Sequence, residues 1–176
     1  MPTRTGLLGL GSNVGERRAH LQSAVDRLPD VGVRVLASSS VYDTDPVGEV
    51  PDQPSFLNAC LRVQTELAPL ELLEAAKTLE RALGRDEGGV RHGPRAIDID
   101  ILLLGDLTLA DDRLTLPHPQ LSARRFVLIP ALELDFETRL PDGRRLSDAL
   151  APLPPTEGVR WAGPPLGLAP GAGLAS

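Results

Sequence analysis

Apolar and polar residues alternate most strictly in two stretches of the chain. In one, Ile97, Ile99 and Ile101 alternate with Asp98 and Asp100. In the other, Leu57, Ala59, Leu61 and Val63 alternate with Phe56, Asn58, Cys60 and Arg62. A period of two is the mark of a strand with one face against a core. It predicts strands over 96–104 and 55–66. A short buried strand is expected at 6–10, and Val31, Val33 and Val35 open another that runs on to Tyr42. The period lengthens over 16–28, where Leu21, Ala24, Val25 and Leu28 form one helical stripe. It lengthens again from Pro69, a residue suited to a first turn. There Leu72, Ala76, Leu79 and Leu83 form the stripe and Gly84 can cap the end.

Between these elements lie two long loops, 43–54 and 85–95, whose length and Gly and Pro content mark them as functional lids. After Gly105-Asp106 the pattern gives a short strand-like pair, 107–110 and 113–116. Ser122 can then cap a helix through Leu128, with Pro130 disturbing its end. From 151 to 176 the chain is rich in Pro, Gly and Ala and reads as a loosely ordered tail beyond a domain spanning 1–150.

The element order is strand–helix–strand–strand–helix–strand. This is the ferredoxin-like β-α-β-β-α-β pattern of an α+β fold, an antiparallel sheet with helices on one face and additional C-terminal elements. The opposite face is then open for substrate. It carries Phe56 and Asn58 on the third strand and Asp98 and Asp100 on the fourth. Alternate residues on a strand are roughly 6.6 Å apart. Two carboxylates at that spacing repel unless a cation lies between them, and magnesium takes carboxylate oxygens together with substrate phosphates. Taken alone, an Asp-x-Asp on an amphipathic strand is usually a solvated face.

Composition changes this picture in three ways. The net charge of −6 opposes general nucleic-acid binding. Only 18 residues are basic, and all but Lys77 are arginine, the side chain suited to bidentate phosphate contacts. They cluster between 81 and 95 and at 124–125. Cys60 is the single cysteine, so neither an internal disulfide nor a cysteine zinc cluster is available, and packing is its expected role. No apolar run reaches membrane-spanning length and no signal peptide is expected, and residence in the cytoplasm is the expectation. Gly9-Leu10-Gly11-Ser12-Asn13-Val14-Gly15 does not fit a dinucleotide fingerprint, its third glycine being one position late, and it lacks the Lys of a P-loop. On the residues alone, a metal-dependent phosphohydrolase and a non-catalytic binding module on the same fold stay open.

Several spaced segments together resemble the 6-hydroxymethyl-7,8-dihydropterin pyrophosphokinase family of folate biosynthesis. They are Leu8-Gly9-Leu10-Gly11-Ser12-Asn13, Ser40-Val41-Tyr42-Asp43-Thr44, Asp52-Gln53-Pro54-Ser55-Phe56-Leu57-Asn58-Ala59, the stretch 91–101, and Leu116-Pro117-His118-Pro119 followed by Arg124. The resemblance spans residues 6–150. It implies transfer of the terminal diphosphate of ATP to the pterin hydroxymethyl oxygen with release of AMP. It implies that Asp98 and Asp100 bind two magnesium ions, and that Arg85 and Arg95 join them as catalytic residues. Arg85, Arg95, His118 and Arg124 match phosphate-binding positions, and Glu80 an acidic position of the nucleotide pocket. Phe56 and Phe126 match an aromatic pair enclosing the pterin, with Asn58, Thr44 and Val47 offering groups to the same ring. His92 stands where the family commonly has tryptophan, and Pro119 where tyrosine is common. The partners implied are ATP and the pterin, with no nucleic acid and no membrane, and the enzyme is expected to be a monomer.

Overall fold

The computed structural model describes residues 2–45, 54–84, 96–155 and 158–168. Its main sheet is antiparallel. The strands β1 (Arg4–Ser12), β2 (Val33–Ser38), β3 (Val41–Thr44), β4 (Phe56–Thr65), β5 (Asp98–Leu104) and β8 (Val159–Gly163) lie in the order β5-β1-β4-β3-β8, with β2 also paired to β4. A two-stranded ribbon, β6 (Leu109–Ala110) with β7 (Thr115–Leu116), follows β5. The ferredoxin-like pattern expected from the sequence is therefore present.

The helices α1 (Arg17–Arg27) and α2 (Pro69–Gly84) form where the 3.6-residue stripes lie. They bury Leu21, Ala24, Val25, Leu72, Ala76 and Leu79 against one sheet face. That face supplies Leu8 and Leu10 from β1, Leu57 to Val63 in alternation from β4, and Ile99 and Ile101 from β5. Each leucine or isoleucine withdrawn from water here contributes about 1.5–3 kcal/mol before the entropy of ordering is counted. Past α1 the chain tightens into a 3₁₀ turn, and Gly32 closes it with φ 91°, its N–H donating to Leu28 O and Pro29 O. At the other end of the β2–α2 region, Glu71 accepts the Ala68 N–H at 2.9 Å and ties down the start of α2.

The strand expected to run unbroken to Tyr42 is two strands. Ser39 and Ser40 interrupt it, and both pieces pair with β4. Ser39 is fully buried and tied to Cys60 through N–H to O at 2.8 Å and Cys60 N–H to Oγ at 2.9 Å. The serine thus replaces ladder bonds at the kink with its own side chain.

The additional C-terminal elements occupy part of the second face. The third long helix, α3, spans Arg125–Leu134 instead of 122–128. It begins after Arg124 and continues through Pro130. A proline there removes one backbone donor and costs about 3 kcal/mol in an isolated helix. Burial of Leu128, Ala131 and Leu132 against Leu7, Cys60, Leu102 and Leu103 holds the helix together across it. A bulge in β5 makes this possible: the register with β1 shifts between Leu7 and Leu8, so Leu102 and Leu103 both face α3. Cys60 lies in this second core as expected, where burial pushes its thiol up to about 12.

The segment expected to be a loose tail contains β8, which pairs with β3. After it, Leu166 is buried beside α1, and Arg18 and Gln22 hold the carbonyls of Pro164, Pro165 and Gly167. Among the described residues no helix is long and apolar enough to cross a membrane.

Glu133 of α3 joins the helix to the kinked strand. It accepts the Ser40 N–H at 2.7 Å and the Tyr42 hydroxyl. Burial first, then the Glu133 carboxylate, raises the Tyr42 hydroxyl far above its usual value of 10.0. The native state therefore keeps a proton that the unfolded chain loses near pH 10. What this group contributes to stability is fully present below that pH and is lost as the pH rises above it. Tyr42 is the sole tyrosine, so difference absorbance reads it directly. Native protein should show no tyrosinate signal through pH values where the urea-unfolded chain has fully titrated, and Glu133→Gln should bring the native onset down.

Candidate active site

The uncovered part of the second face is a cavity of about 270 Å³. Its floor comes from three neighbouring strands in register. Asp98 on β5 stands opposite Gly11 on β1, which stands opposite Asn58 on β4. One step along, Asp100, Gly9 and Cys60 form the next row. In these rows β1 offers only glycine to the cavity, and other side chains come in over it: Leu102 over Gly9, and Asn58 and Phe56 over Gly11. Two strand spacings separate Asp98 from Asn58, about 10 Å between backbones.

The walls come from β3, β4 and α3. Thr44 and Asp45 lie at one side, Phe56 projects from β4, and Phe126, Val127 and Pro130 present one side of α3. The i, i+4 spacing of Phe126 and Pro130 puts them on one helical face, while Leu128, Ala131 and Leu132 turn to the core. Thr44 and Asn58 are 2% and 9% exposed, and the Asn58 Nδ2 donates to Thr44 Oγ1. That bond fixes which way the amide points, leaving its Oδ1 toward Gly11, where an added Cβ would come within 2.9 Å of it.

Of the residues expected from the sequence, Thr44, Phe56, Asn58, Asp98, Asp100 and Phe126 meet in this one cavity. Val47, Arg85 and Arg95 lie outside the described residues, as do His92 and nearly all of the two expected lids. Asp43 and Thr44, assigned to the first of those loops, instead end β3.

His118 and Arg124 are not among the residues that line the cavity. The backbone N–H of His118 donates to the backbone carbonyl of Leu102, itself a lining residue, at 2.9 Å. Gln120, which the sequence gave no reason to single out, links the pair. Its N–H donates to His118 Nδ1 at 3.0 Å, and its Oε1 accepts from Arg124 Nε at 3.1 Å. His118 is thereby held with Nε2 directed away from the turn.

Glu80 is not among the lining residues. Its Oε2 accepts the Ile99 N–H at 2.7 Å, and Lys77 lies 3.4 Å from its other oxygen. It therefore grips the outer edge of β5 midway between Asp98 and Asp100. Among the described residues no three His, Cys, Asp or Glu side chains form a metal cluster. The cavity is lined by three carboxylates, the pair Asp98 and Asp100 that alternates along β5 and Asp45 just past the end of β3.

The family model for 7,8-dihydro-6-hydroxymethylpterin-pyrophosphokinase (HPPK) matches residues 7–136. The chain is 45% identical over 150 residues to the 2-amino-4-hydroxy-6-hydroxymethyldihydropteridine pyrophosphokinase of Pseudomonas aeruginosa, covering 84% of this chain and 90% of that one. It is 44% identical over 150 residues to the enzyme of the same name from Methylorubrum extorquens, covering 85% and 93%. Among solved structures, wild-type Plasmodium falciparum HPPK-DHPS superposes with a TM-score of 0.66 at 15% identity. The likeness covers 84% of this chain and 44% of that longer one, and shows the fold alone. The chain belongs to the 7,8-dihydro-6-hydroxymethylpterin-pyrophosphokinase family and is an enzyme of that transferase class.

Proposed function

We propose that the chain transfers the terminal diphosphate of ATP to 6-hydroxymethyl-7,8-dihydropterin in folate biosynthesis, releasing AMP. The observation that carries the reading is the row Asp98–Gly11–Asn58, which sets a carboxylate pair and a fixed amide at opposite ends of one floor, with Phe56 and Phe126 in the same cavity. A cavity of about 270 Å³ lies at the small end of ligand pockets and suits one flat heterocycle. The triphosphate then runs along the rim, toward the side where His118 and Arg124 lie.

The amide of Asn58 donates and accepts, as an edge of a pterin requires, and Thr44 fixes its orientation. Phe56 and Phe126 supply apolar faces for the ring. With the ring so held, its hydroxymethyl group extends toward Asp98 and Asp100. The hydroxymethyl oxygen attacks the β-phosphorus of ATP in line with the bond to the α-phosphate. That bond breaks and AMP departs, while the hydroxyl proton is lost to solvent. Arg85, Arg95, His118 and Arg124 hold the phosphate oxygens, and most of the acceleration comes from positioning and charge neutralisation.

Asp98 and Asp100 would hold magnesium, two ions by the family resemblance. Two carboxylates with phosphate oxygens completing the sphere is the donor set this metal prefers. When bound, the metal supplies neutralisation of phosphate charge and polarisation of the oxygens at the reacting phosphorus. Glu80 serves the nucleotide side by fixing β5, the strand that bears both carboxylates. The reading is of a cytoplasmic monomer with no nucleic-acid partner, in keeping with the net charge of −6.

With ATP, magnesium and the pterin, AMP should form, and only when the pterin is present. ADP, or turnover without pterin, would instead identify a phosphohydrolase. Asp98→Asn and Asp100→Asn should each lower kcat by about 10²–10³, the scale of one lost electrostatic group. Near-normal turnover in either would remove the metal role. Gly11→Ala puts a methyl group against the Asn58 carbonyl oxygen. It should raise the pterin KM by about tenfold, in line with a 1–2 kcal/mol clash, while the KM for ATP changes little.

A further inference from the structure

The cavity wall at Asp45 is built differently from the rest. Strand β3 ends at Thr44, whose β4 partner is Phe56. Beyond that pair, the anchors described for Asp45 come from β8 and the residue just before it. The Asp45 N–H donates to Gly158 O at 3.3 Å, and the Asp45 carboxylate accepts from Arg160 Nη2 at 3.0 Å. Arg160 also reaches Asp43 Oδ1 at 3.3 Å. The placement follows from register, since Asp43 is the direct cross-strand partner of Arg160 and Asp45 its diagonal neighbour.

Gly158 is shaped to this contact. A Cβ there would lie 2.2 Å from Asp45 Oδ2 and 2.8 Å from Arg160 Nη1. With no Cβ there, the carboxylate and guanidinium tips close over the backbone, and an added methyl would push these side-chain ends aside. Arg17 of α1 makes a matching contact on the other side, bonding Ser55 O at 2.9 Å and Oγ at 3.0 Å, with Asp43 Oδ2 3.6 Å away. Asp43 thus sits between two guanidinium groups, one from each end of the chain.

We propose that Arg160, with Gly158, is a positioning residue for pterin binding: β8 holds Asp45 and so sets the cavity wall beside Thr44. This rests on the assignment of the cavity to the pterin. Arg160 touches no reacting atom. Its effect on the site passes through Asp45, which lines the cavity, and through the adjoining Thr44, whose hydroxyl orients Asn58. The segment 158–163 is consequently part of the active site's construction.

The test is steady-state kinetics on the full chain with ATP, magnesium and 6-hydroxymethyl-7,8-dihydropterin, alongside melting curves. Arg160→Gln should raise the pterin KM about fivefold, the scale of one exposed but doubly paired arginine, and leave kcat and the ATP KM within about twofold. Arg160→Lys, which keeps a charge in reach of Asp45, should restore the pterin KM to within about twofold of the starting value. Gly158→Ala should raise the pterin KM as Arg160→Gln does, and the Asp45→Asn, Arg160→Gln double variant should add little to the single ones. A fall in melting temperature with no split between the two KM values would reduce Arg160 to a stability role and overturn the proposal. So would an unchanged pterin KM in Arg160→Gln while the unaltered enzyme is active. If the unaltered chain forms no AMP with the pterin, the functional assignment itself falls, and the proposal with it.

Discussion

The site depends on what β1 does not carry. On the cavity side its side chains at 9 and 11 are hydrogens, and the strand lies between the two strands that hold the chemistry. Glycine within a strand costs about 0.5–1 kcal/mol relative to alanine, so two of them are a measurable loss of local stability. The same strand offsets it on its other face, where Leu8 and Leu10 are 1% and 2% exposed in the main core. One β-strand can be both stabilising and empty because its side chains alternate. The room left by the missing side chains is taken by Leu102 over Gly9 and bordered by Asn58 and Phe56 over Gly11, so β1 itself puts no side chain between the aspartates and the amide.

The two sheet faces are accordingly unequal. Toward α1 and α2 the apolar surface is continuous and sets the register of every central strand. A slip of one residue would send Ile99 to the cavity and Asp98 into the core, and an unpaired buried carboxylate is far costlier than any gain from re-pairing. The other face is divided. Half is closed by α3, which the bulge at Leu102 and Leu103 allows to seat deeply. Half stays open because α3 turns Phe126 and Pro130 toward it and its leucines away. The Glu133 carboxylate, bonded to Ser40 and Tyr42, fixes how far α3 stands from β3, and with it the width of the cavity.

Period-two alternation makes much of this legible in the sequence. Asp98, Asp100, Phe56 and Asn58 share a face because their strands alternate cleanly, and the strand order brings those faces together. The features that were not readable have long-range causes. The break at Ser39 is made by hydrogen bonds to Cys60, and nothing near Ser39 in sequence announces it. Pro130 reads locally as a helix end, yet tertiary burial of Leu128 and Leu132 carries α3 past it. Strand β8 sits in a Pro-, Gly- and Ala-rich stretch, and its anchors Asp43 and Asp45 are more than a hundred residues earlier. Gln120 has no pattern at all; its importance comes only from standing between His118 and Arg124.

Glu80 shows how a residue can sit at the edge of a site and still govern it. Family resemblance points to the nucleotide, whereas the helix stripe alone points to a solvated edge. The structure gives it a definite partner, the Ile99 N–H. Strand β5 is at the edge of the sheet, so that donor faces outward and would otherwise be open to another strand. A carboxylate there satisfies it and adds a charge-assisted bond to the segment between the two aspartates. The bond acts on the backbone, so it leaves both aspartate side chains directed into the cavity. It also brings a third negative charge close to them, which Lys77, the chain's only lysine, lies 3.4 Å away to offset. On the function proposed here, a magnesium ion entering with the phosphates would relieve the mutual repulsion of Asp98 and Asp100.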